Sequence, residues 1–193
     1  MPPRKTTFIP GHYYHLYNRG NNRQNIFFER ENYLFFLRQF RHYLVERTLY
    51  VHTYCLMPNH YHFLICLREN DLSEQMQRFT LSYTKAMNRR YQQCGSLFQG
   101  RFQAICVDKA DYLIHLSRYI HLNPVKAGLV KHPEDWEYSS YLEYVDLRQG
   151  TLPSVDKVRQ QVGTAQAYQA FVEASAPLPQ PKLQYLQNLL FDE

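Results

Sequence analysis

Cysteine is sparse in this 193-residue chain: there are four, and no two stand in a Cys-x-x-Cys spacing. A structural zinc site, which needs four closely specified ligands, is therefore not written into the cysteines. Cys55, Cys66 and Cys106 fall in apolar, strand-like runs and read as packed, reduced thiols rather than as disulfide partners. Long apolar runs are also missing. No segment approaches the roughly 20 residues of a membrane span, and the basic start Met1-Pro-Pro-Arg-Lys-Thr-Thr7 is not followed by the apolar stretch of a secretion signal. A soluble, cytoplasmic protein is the expectation. The chain shows no internal repeat and no low-complexity tract, and its length suffices for one substantial core.

Acidic residues are short in one half only. Residues 1–101 carry 14 Lys/Arg against 6 Asp/Glu, a balance of +8, whereas residues 102–193 carry 8 against 11, a balance of −3. The whole chain has 17 tyrosines and 12 phenylalanines. A basic half interleaved with aromatic rings offers both phosphate attraction and base stacking, the two requirements of single-stranded nucleic-acid binding. A merely solvated basic surface fits the charge equally well.

Residue patterning gives the order of elements. Gly11 to Asn18 is aromatic and strand-like, and Asn18-Arg-Gly-Asn-Asn22 supplies turn formers. Apolar residues at helical spacing predict a helix over 31–47. Strands follow at 49–57 and 60–67, joined by Pro58-Asn59. A second helix is predicted over 72–92, with Met76, Phe79, Leu81, Tyr83 and Met87 facing the core. A strand is expected from Leu97 to Val107, interrupted by Gly100. A third helix, capped by Asp108, should end near Leu122 because Pro124 cannot continue it. This order implies an α+β fold of ferredoxin-like type, an antiparallel sheet covered by helices, over residues 1–148. Residues 149–193 read as a helical C-terminal extension, with helical patterns at 155–162 and 165–174. A stiff Pro177-Leu-Pro-Gln-Pro181 segment then precedes Leu183–Leu190.

The chemistry concentrates at His60 and His62. Alternate residues of a strand share a face, so the two imidazoles project together while Tyr61, Phe63, Ile65 and Leu67 take the apolar side. Two imidazoles on one face can share a cation, although nine histidines in the chain also make such a pair common without purpose. In the third helix, Tyr119 and Asn123 stand one turn apart on one side. If that helix crosses the sheet face bearing the histidines, the Asn123 amide oxygen reaches as a third ligand and leaves coordination positions for phosphate and water.

Several motifs occur together and in order: Asn18-Arg-Gly20, Met57-Pro-Asn-His-Tyr-His62, Gly100-Arg-Phe102, Tyr119-Ile-His-Leu-Asn-Pro-Val125 with Ala127-Gly128, and Trp136 followed by Ser139-Ser-Tyr141. Over residues 8–145 the chain resembles the REP-associated tyrosine transposases, single-tyrosine members of the HUH endonucleases. That resemblance implies His60 and His62 as metal ligands, Asn123 as the third protein ligand and Tyr119 as nucleophile. It implies a divalent metal, Mg²⁺ or Mn²⁺, and no nucleotide cofactor, although imidazole donors alone admit zinc equally. It also implies cleavage and rejoining of single-stranded DNA hairpins of repetitive extragenic palindromes through a 5′-phosphotyrosine; the sequence leaves monomer and homodimer both open. DNA contacts are expected from Arg4, Lys5, Arg19, Arg23, Lys85, Arg89, Arg90 and Arg101, above all Arg19 and Arg101. Two other readings stay open: a hairpin-binding module that does not cleave, and a phosphodiesterase that uses metal-activated water.

Overall fold

Pro58 and Asn59 reverse the chain so tightly that Met57 and His60 pair directly across the hairpin they close. Around this hairpin the computed structural model, which describes residues 7–109 and 111–174, builds the remaining elements. In chain order they are β1 (Tyr13–Arg19), α1 (Arg30–Phe40), β2 (Leu49–Met57), β3 (His60–Leu67), α2 (Leu72–Arg90), β4 (Gln103–Val107) and α3 (Asp111–Lys126). Three shorter helices follow: α4 (Tyr141–Tyr144), α5 (Asp156–Arg159) and α6 (Ala165–Glu173). The strands form one antiparallel sheet in the order β2-β3-β1-β4, the ferredoxin-like arrangement expected.

The alternation along β3 divides the interior in two. Tyr61, Phe63, Ile65 and Leu67 join Tyr14 and Leu16 of β1 in a core closed by Phe36 and Phe40 of α1 and Met76, Phe79 and Tyr83 of α2. Phe40 stacks on Phe63 with ring centroids 4.1 Å apart, and each such fully buried side chain contributes about 1.5–3 kcal/mol. On the other face Leu64 and Cys55 pack against Leu113, Leu116 and Ile120 of α3. Val158, Tyr168 and Val172, from the first part of the expected C-terminal extension, share this second core. The Pro177–Pro181 segment and Leu183–Leu190 lie outside the described residues.

Trp136 and the serines that follow close the edge of the sheet. Trp136 Nε1 donates to the Leu56 carbonyl at 3.0 Å, Leu56 N donates to the Tyr138 carbonyl at 2.9 Å, and Tyr54 N donates to Ser140 Oγ at 2.8 Å. Backbone groups of edge strand β2 are thus satisfied by a passing segment rather than left as a template for another chain.

Four sequence expectations need correction. Leu97–Phe102 is not strand: Leu97 and Phe98 are neighbours, yet both are buried in the same core, which a period-2 strand forbids. Only Gln103–Val107 pairs with β1 as a strand. Leu81 is 52% exposed, because the buried stripe of α2 runs through Leu72, Met76, Phe79, Tyr83 and Met87 and places it opposite. The regular part of the first helix stops at Phe40, and Arg41–Val45 continue as a wider π-type turn. The third helix begins at Asp111, not just after Asp108, and runs through Pro124 to Lys126.

That last difference has a local cause. Proline brings no N–H, so the Ile120 carbonyl loses its usual donor. The Asn123 amide nitrogen reaches that carbonyl at 3.5 Å while donating to the Tyr119 carbonyl at 3.1 Å. Beyond Lys126, Gly128 takes φ 68°; its N–H donates to Val125 O, and Leu129 N donates to Pro124 O. This is a Schellman closure, whose left-handed position glycine fills without penalty.

Candidate active site

β3 places His60 and His62 on the sheet face that α3 covers, and α3 brings Tyr119 to them. The three side chains line one cavity of about 330 Å³ together with Arg19, Arg23, Asn59 and the loop after α3. The Tyr119 ring lies 5.9 Å from the His62 ring, edge to face. His60 and His62 rings are 5.0 Å apart. The two histidines and the tyrosine picked out from the sequence therefore meet in space.

Hydrogen bonds fix which nitrogen of His60 faces outward. The Asn59 amide nitrogen donates to the Arg23 carbonyl at 3.2 Å, which leaves its oxygen toward His60 Nδ1 at 2.6 Å. An amide oxygen only accepts, so His60 carries its proton on Nδ1 and keeps a lone pair on Nε2. Burial, aided by the nearby Arg19 guanidinium, pulls the His60 imidazole down to about 4. His62 is pulled well below its ordinary value by burial first and by His15 and His60 second. Both rings are consequently neutral near pH 7, the form a cation requires.

These donors fit a divalent ion as an open site. Among the described residues no group of three His, Cys, Asp or Glu side chains is gathered to hold a metal. The two imidazoles would therefore need oxygen donors, from an amide, a phosphate or water. Asn123, the expected third ligand, is 2% exposed and does not line the cavity; its nitrogen serves the helix carbonyls, and its oxygen is the atom it has to offer a cation.

The basic residues separate into two groups. Arg19 pairs directly across from His60 in the sheet register, and Arg19 and Arg23 both line the cavity. Arg19 also lines a neighbouring groove with Tyr17, Asn18, Gln99 and Arg101, and Arg101 and Gly100 lead on into a larger one beside Gln77 and Thr80 of α2. Arg19 thus borders both the cavity of Tyr119 and the neighbouring groove, and Arg101 borders both grooves. Lys85, Arg89 and Arg90 ride on α2, which packs on the opposite face of the sheet, and they line none of these spaces. Arg90 is held by Glu29 at 2.6 Å. Arg4 and Lys5 lie outside the described residues.

Two site residues escaped the sequence reading. Asn59 stands in the sequence as a turn former inside the 57–62 motif, yet it orients His60. Lys126 places its ammonium 4.8 Å from the centroid of the Tyr119 ring, where a positive charge favours a developing phenolate. Its position seven residues after Tyr119, two turns of helix, is a signal that became usable only once the helix was known to pass Pro124.

Among the described residues no helix is long and apolar enough to cross a membrane. Comparison with known proteins agrees with the geometry. A REP-associated tyrosine transposase of Escherichia coli K12 is 29% identical over 113 residues, covering 56% of this chain and 62% of that one. A candidate REP-associated tyrosine transposase of Haemophilus influenzae is 35% identical over 100 residues, covering 45% of this chain and 56% of that one. The match thus spans less than two thirds of either relative. A solved structure of a REP-associated tyrosine transposase bound to a REP hairpin superposes with a TM-score of 0.65 at 20% identity, covering 82% of this chain and 97% of that one, and so shares the fold. The family model described as Transposase IS200 like matches residues 9–123, a span that opens before β1 and closes on Asn123, so it takes in His60, His62 and Tyr119 together. The chain belongs to the IS200-like transposase family.

Proposed function

We propose that this protein cleaves and rejoins single-stranded DNA beside a hairpin of the REP type, through a covalent bond to Tyr119. The observation that carries the reading is the shared cavity in which Tyr119 faces His60 and His62. The Tyr119 oxygen attacks a backbone phosphorus; a phosphorus–oxygen bond to Tyr119 forms as the bond to the 3′ oxygen breaks. The strand leaves with a free 3′-hydroxyl, and its 5′-phosphate stays on the enzyme. Because one phosphoester replaces another, reversal by a 3′-hydroxyl needs no nucleotide cofactor.

A free tyrosine has a pKa of about 10, so attack near neutrality requires loss of the phenol proton. Lys126 over the ring stabilises the phenolate electrostatically, and Arg19 and Arg23 hold the phosphate before it. His60 and His62 would hold Mg²⁺ or Mn²⁺ through Nε2, with the Asn123 oxygen as a further ligand. A cation there supplies charge neutralisation of the phosphate and of the departing oxygen. The groove lined by Arg19 and Arg101 takes the flanking single strand, where backbone contacts set position and aromatic or amide groups meet bases.

Incubation with hairpin DNA bearing a single-stranded flank, in Mn²⁺, should give a conjugate that survives denaturation. Tyr119→Phe should lose it while retaining most DNA affinity. Cleavage without a conjugate would point instead to activated water, and binding without cleavage to a recognition module; either defeats the proposal.

A further inference from the structure

His15 is fully buried in the middle of β1, beside Tyr17 on the face that bears His62. Its Nε2 lies 2.9 Å from His62 Nδ1, and the rings are close to parallel at 20° with centroids 5.1 Å apart. The contact between the two rings holds one proton, and its placement has a chemical consequence. If His15 donates, the proton of His62 must sit on Nε2 and the ring offers a cation nothing. If His62 donates from Nδ1, its Nε2 keeps a lone pair, as His60 Nε2 does through Asn59.

We infer that His15 is a positioning residue for the metal site: its Nε2 accepts the proton of His62 Nδ1 and so holds His62 in the tautomer that ligates through Nε2. The inference rests on the reading of His60 and His62 as ligands. Metal-bound histidines commonly donate their second nitrogen to a carboxylate or carbonyl. Here the acceptor is an imidazole nitrogen, on a ring that is itself fully buried. Asn59 and His15 then act alike from opposite sides, each taking the Nδ1 proton of one ligand. His15 also limits ring rotation, since turning His62 about its Cβ–Cγ bond would break the hydrogen bond at its Nδ1.

The test uses the full chain with Mn²⁺ as the probe. Histidine-ring ¹⁵N spectra of the metal-free protein should show His62 protonated at Nδ1. In Mn²⁺ titrations, His15→Phe, which keeps a ring but removes the acceptor, should weaken binding by about 10–100-fold. His15→Gln, whose amide oxygen can accept the same proton, should recover most of it, and thermal unfolding should remain cooperative in both. Wild-type Mn²⁺ affinity in a folded His15→Phe protein would overturn the inference, as would a spectrum with His62 protonated at Nε2. His60→Ala separates the two ideas: if neither it nor His15→Phe alters Mn²⁺ binding, the ligand reading fails, whereas loss in His60→Ala alone overturns only the role of His15.

Discussion

Gly20 shows how single atoms shape this site. Its φ of −61° is open to any residue, so conformational freedom does not explain it. The constraint is space: a Cβ at this position would lie 2.0 Å from the Gln24 carbonyl oxygen, a backbone atom that cannot swing aside. The turn packed against Gly20 carries Arg23 in the left-handed region at φ 59°, and the Arg23 carbonyl anchors the Asn59 amide that orients His60. Crowding at Gly20 therefore reaches the cavity through three hydrogen-bonded residues. Gly20→Ala should lower stability by about 1–3 kcal/mol in urea unfolding, the usual range for overpacking. It should also weaken Mn²⁺ binding. An alanine variant as stable as the parent would show that the turn yields, and the steric account would fail. In the sequence, the glycine of Asn18-Arg-Gly20 stands out as a turn former and as part of a motif, but the reason for it is not legible, because the carbonyl it must clear comes from a fold of the chain that no spacing rule encodes.

At the scale of elements, α3 is the clearest case of local rules giving a wrong boundary and right contents. Tyr119 and Asn123 share a side as their spacing requires, but the rule that proline stops a helix fails here: α3 runs through Pro124 to Lys126, and the Asn123 side-chain amide reaches the orphaned Ile120 carbonyl at 3.5 Å. Asn123→Ala should then destabilise the metal-free protein by about 1–3 kcal/mol, the penalty of leaving a buried carbonyl unsatisfied. Restoring the N–H in an Asn123→Ala, Pro124→Ala double variant should return much of that loss. Equal stability of the single and double variants in denaturant melts would sink this account. Strand pattern served the reading better: period-2 alternation sorted His60 and His62 from Tyr61 and Phe63 correctly, since each face of β3 meets a different core. It could not reveal His15, whose role depends on β1 lying beside β3, a pairing between residues 47 positions apart. Nor could helix pattern tell that the cations of α2 would ride on the far face.

For the molecule as a whole, the second core binds α3, the helix that carries Tyr119, to α6 through a buried polar chain. His121, two residues after Tyr119, meets Tyr168 OH at 2.7 Å with Nδ1 and Ser140 Oγ at 2.8 Å with Nε2, and Tyr168 OH donates to Ser117 Oγ at 3.0 Å. Arg118 Nε adds a bond to the Val172 carbonyl at 3.1 Å. Burial pulls the His121 imidazole down to about 3, so in the folded protein it stays neutral where the unfolded chain, near 6.5, already binds a proton. Burial lowers His52 in the same direction. Between those two values the unfolded state holds more protons than the native state, so stability rises with pH, is fully present above about 6.5 and is lost as pH falls toward 3. One such group sets a slope of about 1 kcal/mol per pH unit where only the unfolded form is protonated. Urea unfolding of the metal-free protein at pH 4, 5, 6 and 7 should show this decline. His121→Gln, whose amide can still donate and accept in the pocket, should flatten it by about 1 kcal/mol per pH unit between pH 4 and 6. Parallel profiles for the two proteins would mean that His121 takes up its proton in the folded state, and that the core joining α3 to α6 admits a charge.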